Sequence, residues 1–82
     1  MNPGQIRTLI EGGIPGAAVE VQGEDGVHFE AVVVSESFRG LSTVKQHQMV
    51  YSALGPRMGT DIHALQLKTY TPEEWSVAES QR

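Results

Sequence analysis

VHFEAVVVSESFRGLSTVKQHQMVYSALG, residues 27 to 55, decides the fold. It opens with a run rich in β-branched and aromatic residues, which is the composition of a strand. It then passes through a short polar loop, ESFRGLS, into a segment of helical character. Ser42 or Thr43 is the cap, Val44, Met49 or Val50, and Leu54 recur near helical spacing, and Gly55 is the stop. A second apolar run follows at IHALQLKTYT, residues 62 to 71. A strand, a helical crossover and another strand make a parallel pair.

Upstream, Asn2 before Pro3 is a helix start, and Ile6, Leu9 and Ile10 form one apolar stripe. The spacing predicts a helix over 3–11, stopped by Gly12 and Gly13. Ala17, Val19 and Val21 then alternate with Ala18, Glu20 and Gln22, which predicts a strand with one wet face. GEDG, residues 23 to 26, supplies turn chemistry, so this strand and the next form a hairpin. PRMGTD is read as a short turn or one-turn helix. In TPEEW, Thr71 caps a last helix with Pro72 at its first position and Glu73 and Glu74 where the helix dipole favours anions. The order is αββ(α)αβα: an α+β domain over 1–82, with helices on one face of a three-stranded mixed sheet. This layout is shared by type II KH-like domains.

The chain has 82 residues, a formal charge of −4 and no cysteine. One small core is all that this length can build. The missing thiols exclude disulfides, an all-thiolate metal site and a cysteine nucleophile. An acidic chain is a poor match for a broad electrostatic grip on nucleic acid. No apolar run is long enough to cross a bilayer and no secretory signal is visible, so no membrane role and a cytoplasmic location are expected. Carboxylates and serines are present without a spacing that builds a reaction centre, and no enzyme is expected.

Three histidines draw attention: His28 at the start of the second strand, His47 in the middle helix and His63 at the mouth of the third strand. From spacing alone, the plain role for His63 is a strand-edge residue bonding a carbonyl. Strand alternation points it away from Ile62 and Ala64. His47 is best read as a helix-packing polar group. Tyr70 and Trp75 are expected to seal the core. Arg39 and Lys45 flank a helix start whose free N–H groups could meet a phosphate, and Lys68 is a further cation on the third strand.

FRGLSTVKQHQMVY and HALQLKTYTPEEW together resemble the BolA-like family, through Arg39, Gly40, Ser42, Val44 and His47 in the first and His63, Leu67, Lys68, Thr69 and Pro72 in the second. The resemblance spans about residues 6 to 76. It implies a type II KH-like fold without the GxxG phosphate-clamping loop, which this sequence also lacks. It further implies an adaptor that associates with a monothiol glutaredoxin of the CGFS type and shares a [2Fe-2S] cluster with it. The glutaredoxin cysteine and glutathione would supply thiolates, and His63 and His28 would be the imidazole ligands from this chain. Some members are described as DNA-binding transcriptional regulators, and bacterial forms are linked to morphology and stress. The alternative function is therefore DNA binding through the loop and helix at 39–51, with Arg39, Lys45 and Lys68 as contacts. Weak self-association is a further partnership that the reading leaves open.

Overall fold

The computed structural model describes residues 1–81 and has the expected order of elements. Helix α1 spans Pro3–Gly13, strands β1 and β2 span Ala18–Gln22 and His28–Val34, α2 spans Thr43–Leu54, β3 spans Ala64–Tyr70 and α3 spans Pro72–Ser80. One-turn 3₁₀ helices lie at Glu36–Phe38 and Gly55–Arg57. The second is the short turn expected after residue 55. The first falls in what reads as plain loop, because three residues carry no periodic signal. Ser35 caps it by accepting from the Ser37 N–H at 3.0 Å, and fully buried Phe38 pins it to the core.

Asn2 caps α1 through a reciprocal pair: its side-chain oxygen accepts from Gln5 N–H, and Gln5 Oε1 accepts from Asn2 N–H, both at 2.9 Å. Ile6 and Ile10 face the core. The helix runs through Gly12 and Gly13, two residues past the expected end. Packing overrides glycine propensity here. A Cβ built on Gly13 would lie 2.4 Å from Ala53 Cβ, so the missing side chain lets α1 meet α2 closely.

The sheet order is β1-β2-β3. β1 and β2 are antiparallel with Val19 opposite Val33 and Val21 opposite Ala31. β2 and β3 are parallel, with Phe29 level with Leu65 and Ala31 with Leu67. Phe29, Ala31 and Val33 are buried on one face of β2, while His28 and Glu30 are exposed on the other. The buried face joins Ile6, Ile10, Ile14, Phe38, Val50, Leu54 and Ile62 in one core.

In α2 the buried positions are Gln46, Val50 and Leu54. Val44, expected in the apolar stripe, is 65% exposed. A polar residue takes the inward position because its amide is fully used. Gln46 Nε2 donates to the carbonyls of Leu41 and Phe38 at 2.9 and 3.4 Å, and its Oε1 accepts from Thr69 Oγ1 at 2.6 Å. That last bond also shows which sheet face α2 covers: the one to which Thr69 points.

Tyr70 alternates to the other side from Thr69, so its pairing with Trp75 at 5.2 Å between ring centroids lies outside the main core. Both rings are only half-buried, and together they hold α3 rather than seal the interior. No residue of α3 is buried. Its first turn is fixed by a capping box between Thr71 and Glu74 and by Arg39, which donates to Glu73 Oε2 at 2.6 Å.

Candidate functional site

Parallel pairing puts the N-terminal ends of β2 and β3 at the same edge of the sheet. His28 is the first residue of β2 and is level with Ala64, the first residue of β3. His63 immediately precedes Ala64, so the two histidines are diagonal neighbours at this edge.

His63 differs from expectation in one respect: it lies in a bend before β3 rather than inside the strand. Its neighbour Ile62 is fully buried, donates its N–H to Arg57 at 3.0 Å and accepts from Gly59 N–H at 2.8 Å. On the other side, Ala64 N–H donates to the Val27 carbonyl at 3.4 Å. These bonds hold the backbone on either side of His63 while the residue itself is exposed. The His63 ring is therefore not buried at the core edge.

His28 follows a structured turn. Gly26 has a φ of 75°, in the left-handed region, which the Asp-Gly sequence accommodates. Gly23 has no room for a side chain, since a Cβ there would meet Phe29 Cδ1 at 2.6 Å and the His28 carbonyl at 2.7 Å. Asp25 Oδ1 accepts from Val27 N–H at 2.9 Å and from His28 N–H at 2.8 Å. Its other oxygen, Oδ2, lies 2.6 Å from His28 Nδ1. Those bonds, the His28 amide and then its ring foremost, hold the Asp25 carboxyl well below the usual carboxylate range. The His28 side chain is 70% exposed. A cleft of about 460 Å³ opens beside it, bounded by Gln22, Asp25, Phe29 and Gln66.

Two exposed imidazoles at one edge are borderline donors suited to iron, copper or zinc. Among the described residues no group of three or more His, Asp or Glu side chains could hold a metal. Two imidazoles alone do not make up a metal centre built by this chain. His47, by contrast, sits half-buried on α2 against Tyr51, edge to face at 6.5 Å, in keeping with a packing role.

The three cations named for nucleic-acid contact are dispersed. Arg39 bonds Glu36 Oε1 at 2.5 Å and Glu73 Oε2 at 2.6 Å, and the two carboxylates, Glu36 first, raise its already high pKa. Lys45 is exposed in the first turn of α2. Lys68 is on the sheet face that α2 leaves uncovered.

Two structural residues escape a reading of the sequence. Asp25 reads as one loop carboxylate among several, although its position three residues before His28 in a turn is a usable signal. Gln46 has no such signal, because nothing local marks a glutamine for burial.

The family sequence model described as BolA-like protein matches residues 15–74. The chain belongs to the BolA-like family. The acid stress protein IbaG of Escherichia coli K12 is 38% identical over 77 residues, a match covering 93% of this chain and 90% of that protein. The structure of a bolA protein homologue from Coxiella burnetii superposes with a TM-score of 0.84 at 45% identity, covering 93% of this chain and 97% of the other. The DNA-binding transcriptional regulator BolA of Escherichia coli K12 is 46% identical over 48 residues, covering 58% of this chain and 46% of that one. Family members thus carry the names of a stress protein and of a transcriptional regulator. No helix among the described residues is long and apolar enough to cross a membrane.

Proposed function

We propose that this chain is a BolA-like adaptor that binds a monothiol glutaredoxin and co-ligates a [2Fe-2S] cluster with it, in iron-sulfur trafficking or iron and redox regulation. The observation that carries this reading is the register that sets His28 level with Ala64, beside His63. Both imidazoles are exposed where a second protein can reach them. With no cysteine in the chain, the thiolates come from the glutaredoxin and glutathione, and this chain contributes His63 and His28. Imidazole in place of thiolate raises a cluster's potential and makes its retention sensitive to pH. A binding role of this kind needs no catalytic group.

The test is reconstitution of the pair with a CGFS glutaredoxin, glutathione, iron and sulfide, followed by visible absorption and circular dichroism. His63→Ala is expected to change the spectrum of the mixed complex and speed cluster loss. An unchanged spectrum refutes the assignment.

Direct DNA binding draws on the names of relatives and has weaker support in this chain, since Arg39 is already neutralised by two carboxylates and Lys45 and Lys68 do not share a surface. A gel shift at low salt that weakens steeply as salt rises, and is reduced by Arg39→Ala with Lys45→Ala, would favour it over the adaptor role.

A further inference from the structure

The Asp25 carboxylate does two things with its two oxygens. Oδ1 accepts the amide protons of Val27 and His28 and so fixes the turn. Oδ2 faces His28 Nδ1 at 2.6 Å. An ionised carboxylate has no proton to donate, so a neutral His28 ring bonded to it carries its proton on Nδ1. The lone pair then lies on Nε2, at the far side of the ring from the turn. Nε2 has no hydrogen-bond partner among the described residues.

We propose that Asp25 is the positioning residue of this edge: it selects the Nδ1–H form of His28 and presents Nε2 as a lone-pair donor. The logic is that of a carboxylate–histidine–metal arrangement, in which the outer partner fixes tautomer and ring orientation before any metal arrives. The turn supports it structurally. Gly23 lets the loop close on Phe29 and the His28 carbonyl, and Gly26 takes the left-handed conformation that brings Asp25 back over the start of β2. The last step, from an aimed nitrogen to a cluster ligand, rests on the function proposed above. The hold of Asp25 on the ring does not.

Asp25→Asn separates these roles. Asn Oδ1 can keep both amide bonds, and that choice turns its NH₂ group toward His28 Nδ1. A donor now faces Nδ1, so the ring proton moves to Nε2. The turn persists while the lone pair faces the wrong way. Long-range ¹H–¹⁵N spectra of the protein without metal, recorded with the ring neutral, read the tautomer directly. The amide spectrum of the same sample checks the fold.

The expected result is Nδ1–H in the unsubstituted protein and Nε2–H in D25N, with cluster retention in the glutaredoxin complex falling about tenfold or more in D25N. The same tautomer in both proteins overturns the proposal. So does a normal cluster affinity in D25N when His28→Ala lowers it. A tautomer switch accompanied by no effect of His28→Ala on the cluster upholds the hold of Asp25 on the ring and refutes His28 as a ligand.

Discussion

Thr69 on β3 donates its hydroxyl proton to Gln46 Oε1 on α2 at 2.6 Å, and the amide nitrogen of the same glutamine donates to Leu41 and Phe38. One buried side chain thus joins the loop after β2, the crossover helix and the third strand. Gln46→Ala strips partners from buried and half-buried groups and is expected to destabilise the fold by about 1–3 kcal/mol. Thr69→Val removes a single bond and should cost less. A double-mutant cycle from urea unfolding should show that the two losses are not additive.

Gly12 and Gly13 are adjacent in the last turn of α1 and should respond oppositely to alanine. At Gly12 an added methyl would meet nothing within 4 Å, so Gly12→Ala should be neutral or stabilising by up to about 1 kcal/mol through helix propensity. At Gly13 the methyl would be 2.4 Å from Ala53 Cβ and 2.9 Å from Ala53 Cα, where backbone cannot yield cheaply. Gly13→Ala should cost about 1–3 kcal/mol despite the better propensity. Thermal unfolding of the two variants decides the matter.

Asp25 links the turn to pH. Its folded carboxyl pKa is depressed by the His28 amide, the His28 ring and the Val27 amide, in that order of effect. A depressed folded pKa means that the stabilisation is complete above the unfolded value, near 4, and is lost as pH falls through the lower folded value. The stability gap between the protein and Asp25→Ala should therefore shrink as pH falls below about 4. Urea midpoints across that range measure the gap. One that widened on acidification would contradict the assignment.

Arg39 bonds Glu36 beside the core and Glu73 in the first turn of α3. Because α3 buries none of its own residues, this bridge and the Tyr70–Trp75 contact are prominent among its attachments. Both ends of the bridge are well exposed, so global stability should change little in Glu73→Gln. Local opening should not be so indifferent. Amides of α3 are expected to exchange faster in that variant while those of β2 stay protected, and salt should narrow the difference.

Alternation at 17–22, the Asp-Gly turn, the capped helix at 43–54 and the apolar run after it are local patterns, and local patterns were enough for element order, the hairpin and the parallel β2–β3 pair. Cap chemistry was equally legible: Asn2, Ser42 and Thr71 all accept where their neighbours suggest. Boundaries were less so. α1 passes through two glycines because α2 packs against the bare backbone, and β3 begins two residues late because burial of Ile62 bends the chain ahead of it.

By itself the sequence determined which side chains could serve as donors and, having no cysteine, that any shared metal would draw only imidazole or carboxylate from this chain. It left undecided whether His28 and His63 meet. Thirty-five positions separate them along the chain, and it is the pairing of β2 with β3 that brings His28 level with Ala64, the residue after His63. The tertiary structure also decided that Gln46 goes inward while Val44 stays outside, since burial of an amide depends on carbonyls and a hydroxyl from distant elements. Periodicity records which residues share a face. It carries no record of which polar groups find one another when the faces close, and the edge at His28, Asp25 and His63 depends on both.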